Sequence, residues 1–466
     1  MLSGIISSVS GAVNTSGDNV GIDTDAQFGS DDTMNIAIGG DSLDATLIGA
    51  KENIAIGYNS GGTITAGDYN VLIGTYAGDG FETSHYNVAI GRLALSGALT
   101  TDANGTVAIG YASATALTTG TENTAIGFET LDAETTGKGN TAIGYRALSA
   151  QNGAGDSVDT FNTVIGAQAG QAITTSVQNV AIGYKAMLEH TTGHSNTVIG
   201  YNAMSSTNAH VNTLGSAHNT FIGNNSGAGT WGVTSSNKNV AVGNSTMNGA
   251  LSGANLNTAM GYVGLNALTT GTNNSTLGAH AGDNITTGTH NTNLGFHTNA
   301  SAVDVTYEIV IGAGVDVSNP FVGQGTETIP IGRASDFITC DFGENATWSH
   351  SSDFRIKKDI KNNDLGLSFI NSLRTVIYKK KAPSEYPKEF GQHDANQLER
   401  KNPDKKHYGF IAQEVKEAMD KAGHSDFAVW NEQKDGMQTL GELELITPLV
   451  KAIQELSQQI EDLKKG

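Results

Sequence analysis

Ser352 and Lys357 stand five positions apart in the stretch 350–358. A serine with a lysine in reach is a nucleophile with its base. The hydroxyl attacks poorly until a neighbour takes its proton, and serine–lysine pairs are one variant of the catalytic triad. The lysine must be neutral to act, and burial favours that form by penalising the ammonium. His407 and Glu414 flank Gly409 and are weaker candidates for polarising such a site. Glu414 also has a structural reading, as an acid near a helix start. Taken alone, Ser352 and Lys357 read as a surface serine and a solvated lysine, so their surroundings decide the matter.

The surroundings are two unlike materials. Of 59 glycines, 52 precede Ser351, with only two prolines among them, Pro320 and Pro330. Collagen, with glycine at every third position and abundant proline, is excluded. Residues 1–350 carry 7 Lys+Arg against 27 Asp+Glu, a balance of −20, and residues 351–466 carry 19 against 19. An acidic first part without a basic stripe argues against binding nucleic acid and for a solvated surface. The single cysteine, Cys340, excludes an intrachain disulfide framework and a multi-cysteine zinc site, and is expected as a small buried residue. No cofactor and no metal is expected. Nothing approaches 18 consecutive apolar residues, and residues 1–9 make a poor signal peptide.

The first part is a repeat. Asn-x-Ala-Ile-Gly and its variants end on Gly39, Gly57, Gly74, Gly91, Gly110, Gly127 and eleven further glycines, the last two Gly312 and Gly332, most often 17 residues apart. The residue before glycine is apolar in all 17 copies, and the residue four before it is Asn in 14, with Thr106, Glu308 and Thr328 departing. Such alternation suits a short strand over a narrow interior. The glycine supplies a backbone angle or close approach that a Cβ forbids. Asparagine at one register can build a hydrogen-bond ladder along a stack. Seventeen coils at the ~4.8 Å strand spacing give a shaft of about 80 Å. Longer intervals, such as Gly200 to Gly223, read as loop insertions. In one such loop Trp231 reads as packed or merely exposed, rather than as a platform for sugars.

Each coil carries an isoleucine, one or two alanines and a leucine, which is little to bury, so association of chains is expected to supply the rest. Residues 1–30 lack the repeat and read as a cap or attachment segment. The shaft is 31–335, a junction runs over 336–351, and 352–466 form a separate small domain. In that domain Leu365 to Leu373 has helical spacing, 375–378 reads as a strand, and 379–403 as an exposed excursion. Gly423 can end a helix that follows Tyr408. Thr447-Pro448 predicts the start of a last helix, with a seam of Ile446, Leu449, Ile453, Leu456, Ile460 and Leu463. Ile at a and Leu at d favour dimers in parallel coils, yet under three heptads do not decide the state.

Two resemblances follow from these residues. The Asn-x-Ala-Ile-Gly units resemble the head repeats of trimeric autotransporter adhesins and of repeat-built phage fibres. Ser352-Asp353-x-Arg355-x-Lys357, then residues 409–415, then residues 449–456 resemble the intramolecular chaperone domain of endosialidase-type phage tail spikes. Thr375 departs from that pattern, as do residues 422–433.

The resemblance implies a chaperone that trimerises, promotes folding of a β-fibre and cuts itself off at Ser351–Ser352, with Ser352 as nucleophile and Lys357 as base. The expected fold is an all-β trimeric β-roll or β-helix of about 17 coils, followed by a small α+β domain ending in a coiled-coil helix. The expected function is a structural virion fibre or spike, made in the host cytoplasm and active only on itself. Its expected partners are two further copies, a host surface receptor of glycan or outer-membrane type, and other virion proteins through the N-terminus. Nucleic acid and membrane insertion are not expected. A bacterial surface adhesin would need a secretion signal and an anchor. A glycan-degrading spike would need two carboxylates in one cleft, and none can be picked out from the scattered loop acids.

Overall fold

The computed structural model describes the chain except residues 1–12, 15–18, 23–31, 46, 99–103, 153–158, 208–214, 335, 344–347, 350–351, 401 and 466. It divides into two compact units, Met1–Ser351 and Ser352–Gly466.

The first unit is a β-solenoid of about 17 turns, each contributing one short strand of the repeat, three residues long in all but the last two. Successive strands pair in parallel and in register, as Ile54–Ile56 does with Val71–Ile73. The middle residue of each strand points inward and is fully buried, as Ala55, Leu72, Ala89 and Ala108 are. A second inward column carries Leu95, Leu131, Leu148 and Met187.

The isoleucine before each glycine lies outside this core. Ile56, Ile73, Ile90 and Ile109 are only half-buried on the outer face. The isoleucine counted above among the residues a coil has to bury is therefore only partly covered. Period-two alternation defines two faces, and the middle residue of the strand, Ala in most coils but Leu72 and Phe221 in others, takes the inner one.

Gly74 shows what the repeated glycine does. Its φ is +137°, and a Cβ there would lie 2.6 Å from the carbonyl oxygen of Gly91 in the next coil. Both the backbone angle and the close approach exclude a side chain.

The asparagines form the ladder. The Oδ1 of Asn257 accepts the backbone N–H and the Nδ2 of Asn274, each at 3.0 Å. The Nδ2 of Asn257 donates to Asn239 Oδ1 at 3.0 Å and to the Gly271 carbonyl at 2.9 Å. One side chain thus satisfies buried backbone groups on two coils, where an unpaired N–H or C=O would be costly. Thr106 breaks the column; its backbone N–H donates to Asn87 Oδ1 at 2.9 Å, but its Oγ1 has no partner. Glu308 ends the column, accepting from the amides of Ser301 at 2.8 Å and Gly325 at 2.6 Å.

The stack begins earlier than the repeat. Val20–Ile22 pairs in parallel with Ile36–Ile38, and Asn19 Oδ1 accepts from the Asn35 amide at 2.8 Å. Part of the segment read as a cap is a coil whose signature was hidden by Gly21 and Asp23. At the other end Thr328–Arg333 pairs antiparallel with Asp336–Asp341, which pairs with Trp348–Ser349. An antiparallel meander thus covers the last parallel edge, a common protection against edge pairing. Cys340 is buried there. Trp231 is fully buried, with its indole N–H donating to the Gly227 carbonyl at 2.9 Å, so it presents no surface to a sugar.

The second unit holds helices α1 (Leu367–Ser372), α2 (Ala412–Lys421) and α3 (Ile446–Lys465), with two two-stranded antiparallel sheets. Leu365, Phe369, Val415, Met419, Val429 and Leu445 form its core. Gly423, at φ +79°, follows the α2 cap as C′. Helix α3 does not start at the Thr447 cap expected from sequence. A 3-10 turn, Glu442–Leu445, runs straight into Ile446, so Pro448 sits inside the first turn without breaking it. Ile446, Leu449, Ile453, Leu456, Ile460 and Leu463 all lie exposed. Glu455 of α3 accepts from the Leu367 amide at 2.8 Å, tying α3 to the start of α1.

Candidate functional site

The second unit opens on a short turn. Asp353 has extended backbone (φ −66°, ψ 140°) and caps the 3-10 turn Phe354–Ile356. Its Oδ1 accepts the Arg355 backbone N–H and the Arg355 Nε, both at 2.9 Å, while Oδ2 accepts Nη2 at 2.7 Å. These bonds hold the Asp353 carboxyl below its ordinary value. The turn closes through Ile356 N to Asp353 O at 3.2 Å and Lys357 N to Phe354 O at 3.1 Å.

The consequence is that Lys357 folds back onto Ser352, and its Nζ donates to Ser352 Oγ at 2.8 Å. The contact is of the length that proton transfer between nucleophile and base requires. Ser352 and Lys357 are both exposed. The desolvation that would favour a neutral lysine is thus not supplied by the turn itself. Ser351, whose carbonyl the cut would attack, lies outside the described residues.

The two weaker candidates have other partners. His407, on the strand His407–Gly409, stacks on Tyr378 of the paired strand with ring centroids 5.6 Å apart. Glu414, in the first turn of α2, receives Arg374 Nε at 2.9 Å and pairs with Arg374 Nη2. That guanidinium holds the Glu414 carboxyl below its usual value. The structure brings Ser352 and Lys357 together and gives His407 and Glu414 separate structural contacts. Arg374 lines an open cavity of about 650 Å³ with Ile377, Phe410, Gln413, Leu440 and Glu442. Among the described residues no group of three or more His, Cys, Asp or Glu could hold a metal, and no helix is long and apolar enough to cross a membrane.

Residues 352–424 match the family model described as the chaperone of endosialidase. The match begins on the serine of the pair and takes in Asp353, Arg355, Lys357 and the whole of α2. No curated protein and no solved structure matches the chain. A β-solenoid of about 17 turns, followed by a segment similar to the chaperone of endosialidase, fits a tail fibre or spike with a C-terminal chaperone domain.

Proposed function

We propose that the protein is a homotrimeric virion fibre or spike that contacts a host surface, and that its C-terminal unit assists assembly and then cuts itself free at Ser351–Ser352. The observation that carries the cleavage is the 2.8 Å contact between Lys357 Nζ and Ser352 Oγ at the first residue of the chaperone-like segment.

In this reading a neutral Lys357 takes the proton of Ser352 Oγ, and the oxygen attacks the carbonyl carbon of Ser351. The C–N bond breaks as the Ser352 nitrogen takes the proton back from Lys357, leaving an ester between residues 351 and 352. Water hydrolyses that ester, giving a carboxylate on Ser351 and a free amino group and hydroxyl on Ser352. Exposure of the pair in a single chain fits a site whose desolvation comes from assembly.

Trimerisation is supported by what the solenoid leaves outside. One outer face carries a branched or apolar residue in nearly every coil, reaching 47% exposure at Met260 and 50% at Leu277. Beside it runs a column of stacked rings, Tyr111, Phe128 and Tyr145, with centroids 5.0 and 5.6 Å apart. An apolar face of this length is a place for further chains. The exposed α3 seam supplies a second such surface. The preference for a fibre over a bacterial adhesin comes from the chaperone-like segment, because the repeat alone fits both.

Light scattering on the full chain tests the assembly. A trimer is expected, and Met260→Asp with Leu277→Asp is expected to lower the mass toward the monomer. A wild-type monomer would sink the trimer.

A further inference from the structure

We infer that Asp353, working with Arg355, is the positioning residue of the cleavage site: its carboxylate folds residues 353–356 into the turn that carries Lys357 back to Ser352. The inference rests on the cleavage proposed above and assigns a role that the dyad does not explain.

The need for such a device follows from chain geometry. Five residues in extended form span up to about 17 Å, well beyond the reach of a lysine side chain. The Nζ–Oγ distance of 2.8 Å therefore exists only while the intervening chain is turned back. A single 3-10 turn is marginal on its own, since few bonds offset the ordering of several residues. Residues Phe354 and Ile356 are exposed, so burial does not fix the turn. What remains is Asp353. One oxygen caps the turn at the Arg355 amide and, with the other, grips the Arg355 guanidinium in a two-pronged pair. The pair fastens the side chain that follows the cap to the cap itself, so backbone and side-chain bonds support one conformation. Asp353 touches no reacting atom among the described contacts; it acts by holding the fraction of chains in which the dyad is formed.

The test has two arms. The first is the rate of fragment release in the full chain. Asp353→Ala is expected to slow release about tenfold, the upper part of the range for a lost N-cap. Asp353→Asn is expected to recover the rate to within about threefold, because asparagine caps as well as aspartate but its Nδ2 cannot accept from the guanidinium. Arg355→Ala keeps the backbone bond and loses the fork, so a fall of about threefold is expected. Release from Asp353→Ala at the wild-type rate would overturn the inference. So would Asp353→Asn as slow as Asp353→Ala, which would point to the charge and not to the turn.

The second arm does not depend on cleavage. In full chains carrying Ser352→Ala, amide exchange at residues 356 and 357 is expected to quicken about tenfold when Asp353 becomes Ala, in line with the loss of the cap. Unchanged exchange overturns the inference. A wild-type chain that never cleaves counts against the proposed function, while the exchange arm still decides the role of Asp353.

Discussion

Replacing Asn257 with alanine is expected to be among the most destabilising single changes in the solenoid. Asn257 is fully buried. The substitution removes two bonds donated by Nδ2, to Asn239 Oδ1 and the Gly271 carbonyl, and two accepted by Oδ1 from Asn274. Asn274 Nδ2 retains a second acceptor in the Gly288 carbonyl at 2.8 Å. Asn239 Oδ1 still accepts the backbone N–H of residue 257. Two groups therefore lose the side chain that satisfied them, the Asn274 amide and the Gly271 carbonyl. At roughly 1–3 kcal/mol for each buried group left unpaired, the cost is about 2–6 kcal/mol. Asn224→Ala, on the exposed side of the coil, is the control and should stay within about 0.5 kcal/mol. Solenoids unfold in coupled segments, so one global free energy is a poor measure. Amide exchange resolved by coil is the better assay, with urea midpoints beside it. Exchange should quicken most in the coils around Gly261 and Gly278. If Asn257→Ala matched Asn224→Ala in both measurements, the ladder would not be what holds the coils together.

Three further outcomes follow from the same chemistry. Thr106→Asn restores the missing rung beside Asn87 and Asn123, and should raise the urea midpoint by an amount worth about 1 kcal/mol; a lowered midpoint would show that the coil cannot seat the amide. Burial pushes the His190 imidazole down to about 4, opposed by its contact with the Gly193 backbone. The folded state then binds fewer protons than the unfolded one, so stability present above pH 6.5 is lost as pH falls toward 4, by about 3 kcal/mol in all. His190→Leu, which puts an aliphatic residue where the preceding coil carries Ile173, should flatten that slope; equal slopes between pH 7 and 4.5 would refute the assignment. Ser352→Ala and Lys357→Met should each leave a whole chain that still trimerises by light scattering, and fragment release from either would remove that residue from the chemistry.

Much of the solenoid was legible because one register repeats. Glycine at a fixed place pointed to backbone that a Cβ could not follow, and Gly74 shows both reasons at once. Asparagine four residues earlier pointed to a ladder, and Asn257 makes one. Which strand face turned inward was less legible. Alternation is symmetric between the faces, and hydrophobicity alone favours burying isoleucine over alanine. In the structure Ala55 lies inside and Ile56 outside, and Leu72 and Phe221 fill the same inward place in other coils, so residue size does not settle the choice. The coil at Val20–Ile22 escaped notice because two of its signature positions are replaced. At the site, spacing suggested Ser352 and Lys357 but could not supply the turn, which comes from hydrogen bonds between Asp353 and Arg355. His407 and Glu414 looked relevant through proximity in sequence to Gly409. Their partners, Tyr378 and Arg374, come from a strand pairing and a loop about 30 to 40 residues away.

The most direct measurement is the mass spectrum of the purified full-length protein followed over time. Self-cleavage at Ser351–Ser352 predicts a fragment whose mass equals Ser352–Gly466 with a free N-terminus, with its complement ending at Ser351. It also predicts that neither forms in the Ser352→Ala chain. A wild-type chain that assembles yet stays whole, or a cut at any other bond, would contradict the account.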